Sequence, residues 1–481
     1  MRGTGIPQRI EKMNSDTTKF RPYWLKQALK KEGNPEPRRL LSNIAVDVCI
    51  VGGGYTGLWT ALLLKETQPE LKIAIIDQEC CGYGASGSNG GCLLTLSTKF
   101  LTLAKIYGEA EARKLVQAST DAVGAIEAFV NKHGIECDLR IDGALYIATN
   151  AAQKGLMTPV MDALFTAGFS PWKKLELAAA QSFAGTRDLL EGFFSPCAGS
   201  VQPALLTRGM ATVVKQMGIE LYEKTPMLHL EAGQPPQIQT PHARIRAKRV
   251  VLAINAWMAS QFKQFSRAIA VVSSDMAITK PCPDQLASLG LYHGASICDS
   301  RIFVHYFHTT TDGRLMMGKG GNTFAYGSKM IPSFFETSRY EEQLRQAIKR
   351  FFPSLDKVPL DASWNGGSDR SVTGFPFFGF LDGNPAITYG FGYSGNGVVQ
   401  SYIGGQILRS LVLDLDDPWS RCGFVGGPRG EFPPEPVKWL GSMMVRDAIR
   451  RKETAEDAGR RPFWVDNYLS KFAKSAGKAD K

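Results

Sequence analysis

The chain has no C-x-x-C pair, no apolar run of about 18 residues, and only six histidines among 481 residues. Each absence excludes something. The nine cysteines (Cys49, Cys80, Cys81, Cys92, Cys137, Cys197, Cys282, Cys298 and Cys422) do not have the spacing of a zinc site or a redox dithiol. Their odd number, and the apolar runs that hold several of them, point to reduced thiols and a cytoplasmic enzyme. Without a long apolar run, no transmembrane helix is expected. The opening MRGTGIPQRIEKMNSDTTKF lacks the apolar core of a secretory signal. No internal repeat is visible.

What is present is ordinary in bulk. Hydrophobic residues make up 44% and charged residues 21%, which suits a soluble globular enzyme of two to four domain-sized units. The net charge of +11 is compatible with nucleic acid, an anionic membrane surface or an acidic substrate. The basic residues are scattered, with modest concentrations at the two ends, as on a solvated surface. Contiguous basic stripes interleaved with aromatics are missing, so no nucleic-acid partner is expected.

Two glycine clusters carry the chemistry. VDVCIV (Val46 to Val51) is a continuous apolar, β-branched run, the signature of a buried parallel strand. Gly52, Gly54 and Gly57 follow as G-x-G-x-x-G, then an Ala- and Leu-rich helix from Tyr55, then the strand KIAIID ending at Asp77. In that context Gly52 allows the tight turn, Gly54 lets backbone approach a pyrophosphate, and Gly57 lets helix and strand pack closely. Asp77 is placed to accept ribose hydroxyls. The pattern by itself leaves NAD and FAD open. CGYGASGSNGGC follows, and far along the chain GFGYSGNGV (Gly390 to Val398) again joins a strand to a helix. A helical stretch is expected around Ala104 to His133. IAVVSSDMAIT, RIFVHYFHT and RLMMGKG read as strands of a second sheet.

The runs DVCIVGGGYTGLWTALLLKE and IAIIDQECCGYGASGSNGG resemble the N-terminal signature of the D-amino-acid-oxidase-like flavoenzymes. They are especially similar to the branch containing γ-glutamylputrescine oxidoreductase. Ser88 stands where that branch often has arginine. GFGYSGNGV is similar to the family's C-terminal flavin motif. VQPALLTRGM, RVVLAINAW, TDGRLMMGKGG and the pair SWNGG and TGFPFFG extend the resemblance from about Asp47 to Leu411.

The resemblance implies a Rossmann-like FAD/NAD(P)-binding domain of α/β type, interleaved with an α+β substrate domain built on a mostly antiparallel sheet. The two flavin signatures lie far apart in sequence yet must meet at one cofactor. The expected division is a lead-in at 1–43, an FAD-binding domain from 44–134, 201–260 and 364–411, a substrate domain from 135–200 and 261–363, and a basic tail at 412–481 expected to form one amphipathic helix. In the lead-in, Phe20, Tyr23, Trp24 and Leu25 are expected to dock on the body.

Expected FAD contacts in the first half are Gly52, Gly54, Tyr55, Thr56, Gly57, Asp77, Gln78, Gly84, Ala85, Ser86, Asn89, Gly90 and Gly91. Met227 and Ala253 follow, then Gly392, Tyr393, Ser394, Gly395, Asn396 and Gly397. No cysteine falls between Cys298 and Cys422, and no histidine precedes His133, so the family's covalent flavin links are not expected. The implied reaction oxidises a C–N bond of a small amine, such as an amino acid, an N-substituted amino acid, a polyamine derivative or an aminophosphonate. Hydride passes to flavin, the imine hydrolyses to a carbonyl compound, and dioxygen or another acceptor takes the electrons.

Substrate-side candidates are Tyr393, Arg301, His305, Tyr306 and Lys319. Strand alternation through RIFVHYFH would set Arg301 and His305 on one face and Tyr306 and His308 on the other. Arg301 suits a carboxylate or phosphonate. Sarcosine-oxidase-like relatives place a lysine over the flavin. Here Met316 or Met317 stands in the comparable stretch, with Lys319 just beyond, which puts fast reaction with dioxygen in question. The alternatives are a flavin-dependent RNA-modifying enzyme and an NAD-linked Rossmann dehydrogenase.

Overall fold

The computed structural model describes residues 20–476 and 479–480; most of the segment read as lacking a secretory core lies outside them. The described chain opens with the helix Tyr23–Lys31, which buries Trp24, Leu25, Ala28 and Leu29 as one apolar face. The Trp24 and Tyr23 rings pack against Trp364 at 5.5 and 5.8 Å, so the lead-in does dock on the body.

The first sheet is centred on Ile44–Val51. This strand pairs in parallel with Arg244–Leu252 on one side and Ile73–Ile76 on the other. Glu220–Tyr222 and Ile387–Phe391 extend the parallel set, and Phe377–Phe380 closes one edge antiparallel. Residues Val48 to Val51 are buried throughout, so their apolar run is continuous rather than alternating. The helices Tyr55–Thr67 and Gly397–Val412 lie against each other. A Cβ on Gly405 would stand 2.7 Å from Cβ of Trp59, so glycine is what permits that approach.

The second sheet runs Leu360–Ser371, Ile269–Thr279, Leu315–Phe324, His305–Thr309, Ser296–Asp299, Ala144–Ala148, Glu191–Ser195, Lys173–Lys174. All neighbours are antiparallel except Ser296–Asp299 on Ala144–Ala148.

Four local expectations differ. A domain boundary at 364 falls inside the strand Leu360–Ser371, which pairs along its length with Ile269–Thr279. The long helix is two, Phe100–Tyr107 and Glu109–Lys132, parted at Gly108 with φ +86°. The tail forms two helices, Val437–Asp457 and Trp464–Ser470, with Gly459 (φ +67°) and Pro462 between them. Finally, the strand in RIFVHYFH begins only at His305, because Asp299 Oδ1 accepts the N–H groups of both Arg301 (3.2 Å) and His305 (3.0 Å) and draws the intervening residues into a bend.

Candidate functional site

The first turn is built by close backbone approach. Gly52 has φ +113°, and a Cβ there would lie 2.9 Å from the carbonyl carbon of Ala253. A Cβ on Gly57 would run into the carbonyl oxygen of Gly52, so this glycine packs the helix onto the strand instead of lining a cavity. At Gly54 the obstacle would be Ser86 Oγ, 2.9 Å away. That hydroxyl also accepts the Tyr55 N–H at 2.9 Å, tying the GASGSNGG loop to the helix start. Asp77 holds the turn from below: Oδ2 accepts Gly53 N–H and Oδ1 accepts Glu79 N–H, each at 2.8 Å. Burial lifts its carboxyl to about 6.

Two cavities lie beside this turn and share part of their lining. One is lined by Gly52, Gly54, Asp77, Gln78, Gly84, Met227, Ala253 and Trp257. The other, the larger, is lined by Asn89, Gly90, Ser274, Met276, Tyr306, Gly320, Gly366 to Arg370, Tyr393 and Gly395 to Val398. Tyr55, Thr56, Ala85, Ser86 and Asn255 line both. Asn255, at their junction, adopts φ +47°, a left-handed conformation uncommon outside glycine.

The two glycine signatures meet here: Thr56 Oγ1 donates to the Tyr393 hydroxyl at 2.8 Å across 337 positions of sequence. Burial pushes Tyr393 above its usual range. Its hydroxyl therefore joins the two halves of the site. Gly91, Gly392 and Ser394 stand behind the lining. Gly91 N–H donates to Asn89 Oδ1 (2.7 Å), Gly392 N–H to the Asp369 carboxylate, and Ser394 N–H to Asp369 O (2.9 Å).

Of the substrate-side candidates, Tyr306 and Tyr393 line the larger cavity and the other three do not. Tyr306 stands on a strand of the second sheet, its hydroxyl 2.8 Å from Ser274 Oγ on the strand Ile269–Thr279. Arg301 is buried elsewhere. Its guanidinium donates to Asp299 (2.8 Å), Asp457 (2.7 Å) and Thr149 (3.1 Å). His305 Nδ1 lies 2.8 Å from the same Asp299, and burial lowers the imidazole to about 4. Lys319 points away from the cavity that its neighbour Gly320 lines. Its Nζ donates to Phe303 O at 2.9 Å and lies 4.0 Å from Glu453. Anion binding in the cavity therefore cannot fall to Arg301, which Asp299 and Asp457 already hold.

The cavity's cation is Arg370, which no motif singled out. It sits in the stretch between SWNGG and TGFPFFG, so the segment was visible while the residue was not. Its guanidinium comes within 3.3 and 3.8 Å of where a Cβ would stand on Gly395 and Gly320. Beside it, burial raises the Asp369 carboxyl to about 7 against the N–H groups that bond it. Cys92 also lines the cavity, its thiol donating to Gly90 O at 3.7 Å.

A Rossmann-like sheet with a dinucleotide turn, beside a mostly antiparallel second sheet whose strands help line the adjoining cavity, defines a two-domain flavoenzyme architecture. The family described as DAO, FAD dependent oxidoreductase, matches residues 47–411, well over half of the chain, and the chain belongs to it. Its cofactor is FAD. The sequence is 26% identical over 375 residues to γ-glutamylputrescine oxidoreductase of Escherichia coli (strain K12), covering 78% of this chain and 85% of that protein. It is 25% identical over 377 residues to a probable oxidoreductase OrdL of Haemophilus influenzae, covering 77% and 84%. Among solved structures, glycine oxidase from Geobacillus kaustophilus superposes with a TM-score of 0.67 at 19% identity, covering 80% of this chain and 99% of that one.

Proposed function

We propose that the chain oxidises the C–N bond of a small amine bearing an anionic group, inside the cavity that joins the two glycine signatures. One observation carries the substrate class: the half-buried Arg370 lines that cavity beside the Gly395 turn. Its planar fork suits a carboxylate or phosphonate. The names of similar proteins, a γ-glutamylputrescine oxidoreductase and a glycine oxidase, point to amine nitrogen as the reacting centre.

The glycine turn, Ser86 and Asn255 would hold the pyrophosphate and ribityl parts of FAD, and the N-terminus of Gly397–Val412 would favour negative charge on the ring's pyrimidine edge. When bound, FAD supplies the acceptor for the hydride leaving the carbon next to nitrogen. The chain's own work is placement. Arg370 grips the anionic end, Tyr306 and Met276 wall the reacting carbon, and the buried setting favours the neutral amine. The imine product then hydrolyses to a carbonyl compound. Lys319 lies on the far face of its strand and no lysine among the described residues lines the cavity, so an acceptor other than dioxygen is the expected electron sink. We assign the first sheet to the FAD domain and the second to the substrate domain. A cytoplasmic site of action fits nine cysteines with no disulfide among the described residues.

The test is anaerobic bleaching of the flavin by a panel of amino acids, N-methyl amino acids, acylated polyamines and aminophosphonates, each matched with an uncharged analogue. Bleaching confined to the anionic members is expected. Equal bleaching by the uncharged analogues would remove the anion-binding role.

A further inference from the structure

The tail beyond the family match contains a helical hairpin with two unlike sides. The inner side is fastened to the body by polar contacts. Lys438 Nζ donates to Ser266 O at 2.9 Å, Trp439 Nε1 to Phe324 O at 3.1 Å, and Arg450 to Asn322 Oδ1 at 2.8 Å. The outer side carries rings that no described part of the chain covers. Phe463 is 64% exposed, Trp464 70%, Tyr468 56% and Phe472 67%. The other exposed aromatic rings among the described residues, Phe165, Tyr292 and Tyr326, are scattered through the sequence. Trp464 and Tyr468 lie one turn apart on the helix Trp464–Ser470, and the Phe472 ring, in the 3-10 turn that follows, packs 5.7 Å from that of Tyr468.

The charge beside these rings is of one sign. Arg460, Arg461 and Lys471 are exposed, and none forms a salt bridge among the described residues. The nearby acid, Asp466, is buried and held by Arg451 at 2.7 Å. Amphipathic rings flanked by unpaired cations match a membrane–water interface, where rings sit at headgroup level and cations meet lipid phosphates. A second copy of the chain is a poorer fit, because a two-fold interface would bring the same cations against the same patch. No helix among the described residues is long and apolar enough to cross a bilayer.

We propose that this hairpin seats the enzyme on an anionic bilayer surface, lying on it without crossing it. The proposal is independent of the substrate.

Co-sedimentation of the FAD-loaded enzyme tests it. One arm uses phosphatidylcholine vesicles; the other adds about 30% phosphatidylglycerol. Binding is expected with the anionic vesicles, weakened by salt. Arg460→Glu with Arg461→Glu is expected to lower it at least about tenfold. So is the triple variant Trp464→Ala, Tyr468→Ala, Phe472→Ala, with flavin content and amine-driven bleaching unchanged, which shows that the variants fold. No wild-type sedimentation with anionic vesicles at low salt would overturn the proposal, and so would full binding by both variants. Loss of a wild-type dimer in the triple variant, without vesicle binding by either, would assign the face to a second copy instead.

Discussion

Arg370→Met reads the substrate pocket directly. The guanidinium lies between Gly320 of the second sheet and the Gly395 turn, with Asp369 as its sequence neighbour. Charge-assisted hydrogen bonds of this kind contribute about 1.5–3 kcal/mol. Their loss lowers kcat/KM for an anionic amine by about 10- to 150-fold. Arg370→Lys keeps a point charge but not the fork, and an intermediate loss is expected. For a matched amine without the anionic group, the Met variant stays within about twofold of wild type. The assay is anaerobic stopped-flow reduction of the bound flavin, with flavin content measured first. Equal losses for charged and uncharged amines would refute the reasoning, because Arg370 would then support the cofactor or the cavity shape and not the substrate's charge.

Gly54→Val leaves the backbone angles acceptable, yet its side chain enters the space beside Ser86 Oγ where pyrophosphate must pass. The purified variant is expected to be folded by circular dichroism and colourless; full flavin occupancy would disprove the assignment of that turn. Tyr393→Phe removes the acceptor for Thr56 Oγ1, so a loss of about 1 kcal/mol in unfolding free energy with little change in the rate of flavin reduction is expected. A large rate loss at unchanged stability would make Tyr393 catalytic after all. Asp369 provides a pH signature. Burial lifts its carboxyl from 3.8 to about 7, so the stability it contributes is full below about 3.8 and is lost as pH rises through about 7. In urea unfolding, wild type should therefore lose ground to Asp369→Asn as pH climbs across that window, and a pH-independent gap would contradict it.

Much of the fold was legible because its signals are local. The unbroken apolar run at Val48–Val51, the spacing of Gly52, Gly54 and Gly57, and the acid at Asp77 are each confined to one strand–turn–helix unit. The meeting of that unit with Tyr393 was also inferable, since two flavin signatures must share one cofactor. The substrate side was harder to read. Arg301 looked like an anion ligand by residue type and strand alternation, but Asp299 bends the chain ahead of His305 and Asp457 reaches in from the tail. Neither contact has a sequence signal. Arg370 was missed for the complementary reason: its place in the cavity depends on the register of Leu360–Ser371 against Ile269–Thr279. The break in the tail was missed although Gly459 and Pro462 mark it, and the docking of its inner face has no sequence signal.

The central claim is that an amine reduces FAD in the cavity shared by the two glycine signatures. Its most direct test is to mix the yellow enzyme with anionic amines in the absence of oxygen and follow the flavin absorbance. The account predicts rapid bleaching by at least one such amine, with the matching carbonyl compound formed in equal amount. An FAD-loaded enzyme that no amine on the panel bleaches would contradict it.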